Sequence, residues 1–300
     1  MADSNNSQTG VIVKAISGFY YVSCLNRIFE CKARGNFRHS EISPIVGDKV
    51  SFDIISHNSG VIVEILPRKS ALSRPLIANI DKIIIVSAFK NPSPDTYLID
   101  RLTAIAVYNN ITPVIVFNKS DTGDFSEFER IYKNAGFNTY IVSALFRDSL
   151  NELKNEFQDC ICAMCGNSGV GKSSLINALF DGFSLKTAEV SISLGRGKHT
   201  TRHTELFEND VGGFVADTPG FSSIEQRDNL YDFKQNLVRC FPDFMPYYGN
   251  CAFSDCTHTC EPGCGILDAL NSGLIEKTRH LSYTALSGEL KSVTGWQSKK

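Results

Sequence analysis

Residues 166–174 read GNSGVGKSS, a G-x-x-x-x-G-K-S stretch that follows an apolar run and opens a helical one. This is the context in which glycines let backbone N–H groups turn inward around a polyphosphate, while the helix start adds positive potential. The binding set is Gly166, Asn167, Ser168, Gly169, Val170, Gly171, Lys172, Ser173 and Ser174. Lys172 is placed to reach the β- and γ-phosphates, and Ser173 to offer its hydroxyl to Mg²⁺. Further on, DTPG ends the apolar run GGFVA. Asp217 stands where a second acidic residue holds Mg²⁺, and Gly220 where a backbone N–H meets the γ-phosphate. Between the two lies SLGRGKHTTRHTE, polar and without helical or strand periodicity. A threonine here completes the Mg²⁺ shell only while the γ-phosphate is present, which makes the stretch a switch. Thr200 and Thr201 are the candidates, with Thr201 preferred.

A second constellation reads a base. NKSD, at Asn118, Lys119, Ser120 and Asp121, ends another apolar run. Guanine offers donors at N1 and N2, which one carboxylate, that of Asp121, accepts together. Asn118 braces the loop, and the stem of Lys119 lies along the base. Ser143, Ala144 and Leu145 end a further strand, where a backbone N–H faces guanine O6. The base reader precedes the phosphate loop by 48 residues. A site in a parallel sheet depends on which strands are neighbours, not on the order in which the chain visits them, so the pattern reads as a circular permutation.

A third constellation binds metal. CAFSDCTHTCEPGC contains C-x4-C-x-H-x5-C, which selects Cys251, Cys256, His258 and Cys264 for one tetrahedral, closed, structural Zn²⁺. Cys260, inside the loop, is an alternative to Cys264. Cys24, Cys31, Cys160, Cys162 and Cys165 fall in apolar, strand-like surroundings and read as core.

The elements that must position these residues fall into three regions. Over 1–70, short alternating runs separated by turn residues predict a small β-barrel, and RKSALSRPL reads as a linker. Over 71–226, β and α runs alternate, with strands at 81–89, 112–121, 139–144, 160–166, 204–209 and 212–220. Helices are expected at 97–108, 124–135 and 149–158 and from Lys172. This is a doubly wound α/β domain with its ligands at the strands' carboxyl ends. The remainder, 227–300, is mostly helical around the cysteines.

Lys and Arg against Asp and Glu number eight to six over 1–70, fourteen to eighteen over 71–226, and eight to eight over 227–300. Such a balance excludes a general polyanion binder. No apolar run is long enough for a membrane span, and the polar start MADSNNSQTG is unlike a signal peptide, so a cytoplasmic protein is expected; it is also expected to act as a monomer.

The order NKSD, GNSGVGKSSLIN, GRGKHTTRH, DTPGF resembles that of the circularly permuted GTPases of bacterial small-ribosomal-subunit assembly. RGNFRH with VGDKV resembles that family's N-terminal OB-fold barrel, and CAFSDCTHTCEPGC its zinc module. The resemblance covers nearly the whole chain. It implies a GTPase, stimulated by the ribosome, that binds the 30S subunit and its 16S rRNA and assists late maturation. The alternative is a GTP-gated RNA-binding module with little turnover. Arg27, Lys32, Arg34 and Arg38, with Lys49 and the rings of Phe29 and Phe37, become an rRNA face in that light. Phe221 stands where many GTPases orient water with glutamine. Hydrolysis is therefore expected to be slow alone and completed by a partner or by His199 or His203, with His199 joining Lys172 and Thr201 as the candidate catalytic set.

Overall fold

The computed structural model describes residues 7–38, 43–181, 204–217, 226 and 228–295, the side chains of Asn36, Arg38 and Asp217 excepted. Five strands come first: β1 (Ser7–Ile16), β2 (Phe19–Cys24), β3 (Arg27–Ala33), β4 (Lys49–Ser56) and β5 (Ser59–Ile65). β1 to β2, β2 to β3 and β4 to β5 are antiparallel, β3 to β5 is parallel, and β4 returns to β1. The ladder therefore closes into the expected small barrel, of five strands, and leaves no free edge. Two-residue turns with positive φ, Ser17–Gly18 and Leu25–Asn26, join β1 to β2 and β2 to β3, matching the twist of the strands they connect. Ile12, Val22, Cys31, Val50, Phe52 and Ile62 fill the barrel at 0% exposure.

The stretch read as a linker is instead a hairpin, β6 (Ala71–Ser73) with β7 (Leu76–Ala78). It is tied to the barrel by the Ala78 N–H donating to the Val46 carbonyl and by the Asn79 amide donating to the Gly47 carbonyl, at 2.9 and 3.0 Å.

The second layer system contains β8 (Lys82–Ala88), α1 (Thr96–Tyr108), β9 (Thr112–Asn118), α2 (Ser126–Asn134), β10 (Asn138–Ile141), α3 (Asn151–Asn155), β11 (Ile161–Cys165), α4 (Lys172–Leu179), β12 (Glu205–Glu208) and β13 (Phe214–Asp217). The sheet order is β10-β9-β8-β11-β13-β12, parallel except for β12. Alternation divides each central strand between two cores. Ile83, Ile85, Ile115 and Phe117 face α1 and α2, whereas Ile84, Val86, Val114 and Val116 face α3 and α4. Burial on both faces explains why these strands read as continuous apolar runs. The helix expected over 149–158 is shorter, a 3₁₀ turn Arg147–Leu150 leading into α3.

β12 also pairs with β1, at Lys14 opposite Glu205, so barrel and sheet form one continuous ladder. The last region carries α5 (Leu230–Asn236), α6 (Gly265–Asn271) and α7 (Lys277–Glu289). It docks on α1 through Arg279, fully buried, which donates to Asp100 at 2.7 Å and to Asp243 at 2.8 and 3.2 Å. The rings of Phe241 and Phe137 lie at 4.7 and 5.3 Å from the same guanidinium. No helix among the described residues is long and apolar enough to cross a membrane.

Candidate nucleotide site and metal centre

Because β10, β9, β8, β11 and β13 are parallel, their carboxyl ends share one edge, and NKSD, Ser143–Leu145 and the phosphate loop sit there. NKSD leaves β9 and the phosphate loop leaves β11, with only β8 between them. The permutation has thus kept as neighbours what the chain visits in the reverse order.

The phosphate loop needs its glycines for space. Gly166 has φ +133, and a Cβ there would lie 2.0 Å from the Val86 carbonyl oxygen. Gly171, at φ +92, faces the Asn118 amide, 2.5 Å from where its Cβ would be. Lys172 opens α4, and its Nζ donates to the carbonyls of Gly166 and Asn167 at 2.7 and 2.9 Å, which draws the ammonium into the loop. Burial pushes the Lys172 pKa down.

Asn118 joins the two halves of the site. It is 1% exposed; its Nδ2 donates to the Val170 carbonyl at 2.9 Å, and its Oδ1 accepts from the Ala144 N–H at 3.2 Å. Lys119, at φ +62, ends the strand and lays its stem across the site, its Nζ donating to the Gly169 carbonyl at 2.7 Å. Ser120 donates its N–H to the Val142 carbonyl at 3.0 Å, holding the β9 and β10 loops side by side. The exposed Asp121 carboxylate accepts from the Ser143 hydroxyl at 2.7 Å, which fixes its orientation. The Leu145 N–H turns to Ser143 Oγ at 3.3 Å, and the Leu145 side chain is exposed. The backbone of Asp217 ends β13 on the same edge. Gly220, Phe221, His199, Thr200, Thr201 and His203 lie outside the described residues.

The metal set converges. The ligand atoms of Cys251, Cys256, His258 and Cys264 all lie within 4.8 Å of one another. Both Cys251 Sγ and Cys264 Sγ are 3.5 Å from His258 Nδ1 and 3.9 Å from each other. A tetrahedral zinc with three thiolates and one imidazole has edges of about 3.6–3.8 Å, so the donors fit it. Burial pushes His258 down, favouring the neutral ring that a metal requires. Cys260 is exposed and stays outside the group. Two supports were not anticipated from the sequence. Glu261 accepts from the N–H groups of Thr257, Thr259 and Cys260 and folds the loop, while His280 contacts the His258 carbonyl at 2.8 Å.

The barrel's basic residues are distributed on its surface. The Arg27 guanidinium lies 5.1 Å from the Phe29 ring and bonds the His57 carbonyl, Lys32 covers Phe19 at 5.0 Å, and Arg34 pairs with Asp53 at 3.6 Å. Lys49 is exposed, and the Arg38 side chain lies outside the described residues. Phe29 is a correction: it is 4% exposed and packs on Phe52 at 5.2 Å, so it cannot stack on a base. Phe37 is half-buried.

Comparison with known proteins agrees with this geometry. The family model for the RsgA GTPase matches residues 65–227, and that for the RsgA N-terminal domain matches residues 9–62. A small ribosomal subunit biogenesis GTPase RsgA of Ruminiclostridium cellulolyticum is 42% identical over 98% of this chain and 97% of its own. One of Geobacillus kaustophilus is 41% identical over 94% and 97%. The crystal structure of YloQ, a circularly permuted GTPase, superposes with a TM-score of 0.80 at 31% identity, covering 97% of each chain. That of YjeQ from Thermotoga maritima does so with a TM-score of 0.79 at 31% identity, covering 96% and 100%. Matched nearly end to end by these relatives, and over more than half its length by the GTPase model, the chain belongs to the RsgA GTPase family.

Proposed function

We propose that this chain binds GTP with Mg²⁺ at the carboxyl edge of its parallel strands and hydrolyses it on the small ribosomal subunit, whose late maturation it assists. GTP hydrolysis is the activity of its family, and its relatives are named for small-subunit biogenesis. The observation that carries the reading is the Asn118 amide, which ties the phosphate loop to the Ser143–Leu145 segment within one buried set of hydrogen bonds. Guanine then sits against the Lys119 stem with its N1 and N2 donors on Asp121, held in place by Ser143. The Lys172 ammonium exchanges two loop carbonyls for the β- and γ-phosphates. Bound Mg²⁺ neutralises charge between those phosphates; Ser173, Thr201 and Asp217 are the residues that would hold it.

Phe221 carries no group able to orient water, so turnover is slow until the ribosome completes the site, with His199 the candidate within the chain. Zn²⁺ is the metal proposed for Cys251, Cys256, His258 and Cys264; with four protein ligands it braces the C-terminal region and has no catalytic position. The barrel face bearing Arg27, Lys32, Arg34 and Arg38 is proposed to meet 16S rRNA, with the protein acting as a monomer.

The test is GTP turnover by purified protein alone and with purified 30S subunits, with ATP as control. A large stimulation by 30S with GTP and none with ATP is expected. Tight GTP binding with no stimulation would contradict the reading and favour a GTP-gated RNA-binding module.

A further inference from the structure

At the amino end of β11, opposite the phosphate loop, two thiols meet. Cys160 Sγ and Cys162 Sγ are 3.5 Å apart, and both point at the Glu156 carbonyl, at 3.2 and 3.6 Å. Asp159, at φ +52, bends the chain into β11 just before Cys160. Cys162 is fully buried, whereas Cys160 is half-buried, and neither is used by the nucleotide or metal sites. Cys165 lies on the opposite face of the strand and cannot join them. The hydrogen bond between the thiols lowers the Cys160 pKa; burial opposes this, and the Lys82 ammonium favours it. The same hydrogen bond and then burial push Cys162 well up. Cys160, the more exposed thiol, is thus the one that a peroxide in solution reaches, with the buried Cys162 beside it to resolve the product.

We propose that Cys160 and Cys162 form a peroxide-reactive dithiol that closes to a disulfide at the foot of the phosphate-loop strand and weakens nucleotide binding. The Cys160 thiolate attacks a hydroperoxide; its O–O bond breaks, sulfur gains OH, and the departing alkoxide or hydroxide takes a proton. The Cys162 sulfur then attacks the sulfenic sulfur, the S–S bond forms, and hydroxide leaves with the Cys162 proton as water. Two electrons pass from the two thiols to the peroxide, giving a disulfide, an alcohol or water, and one further water. The consequence for binding rests on the nucleotide reading above. Gly166 follows Cys162 by four residues and packs without room for even a Cβ against the Val86 carbonyl, so a shift of β11 on disulfide closure would be passed to the loop.

The experiment treats full-length, metal-loaded protein with hydrogen peroxide, then denatures, alkylates and digests it with trypsin. The fragment 155–172 holds Cys160, Cys162 and Cys165. It should carry one alkyl group in place of three, and the peptide itself, its alkyl groups subtracted, should be about 2 Da lighter than in the reduced form. A thiol reductant should restore all three, and Cys160→Ser should give no lighter form. A fragment that stays fully alkylated, or the same lighter form in Cys160→Ser, would overturn the dithiol. GDP affinity of the oxidised protein should fall relative to the reduced protein and recover on reduction. Equal affinities would overturn the coupling to the loop, whereas failure of the reduced protein to bind GDP would count against the nucleotide reading itself.

Discussion

At the scale of single residues, the site depends on side chains whose types were legible but whose partners were not. Spacing alone could not separate Cys264 from Cys260, because both lie within ligand-loop distance of His258. The fold separates them by burying Cys264 and, through Glu261, turning Cys260 outward. Cys264→Ala should therefore lose the bound metal in an elemental assay of purified protein, whereas Cys260→Ala should retain one equivalent. Equal metal content in the two variants would contradict the assignment. Phe29 shows the opposite case. Its place in an exposed basic stretch suggested base stacking, yet it shares the inward register of Cys31 on β3, and period-two alternation decides its fate.

At the scale of elements, the central strands were legible because each is buried on both faces, and β9, β10 and β11 each end in a motif. The stretch 68–76 was not, because its Ser and Pro residues signal a break while the hydrogen bonds of Asn79 that fold it are long-range. A similar long-range cluster pins the amino end of the sheet. Glu156, on the turn that follows α3, accepts from Lys82 of β8 at 2.7 Å and from Tyr140 and Asn138 of β10 at 2.6 and 2.9 Å. Burial pushes its pKa up, but these partners more than offset it and hold it below its ordinary value of 4.5. A carboxylate so depressed in the folded state contributes its full stability above that value and loses it as pH falls through the folded value. Glu156→Gln should lower the urea midpoint at pH 7 and flatten its fall below about pH 4.5. An unchanged acid limb would show that Glu156 does not carry it.

At the scale of the whole molecule, the permuted order was legible because the base-reading motif and the phosphate loop each mark a strand end. The docking of the C-terminal region was not, since Asp100 and Arg279 are 179 residues apart and neither carries a local signal. Their buried pairing predicts that Arg279→Ala leaves two carboxylates facing each other without a cation. The cost should be about 3–5 kcal/mol of unfolding free energy, with faster hydrogen exchange in α1 as well as α7. Exchange confined to α7 would argue against a shared interface. We infer that strands visited in permuted order rebuild one guanine nucleotide site, with Asp121 reading the base. The most direct test is diphosphate binding by Asp121→Asn, because an amide donates to the C2 carbonyl of xanthine, where a carboxylate accepts from the C2 amine of guanine. GDP binding should be lost and XDP binding gained, whereas GDP affinity undiminished by the substitution would show that Asp121 does not read the base.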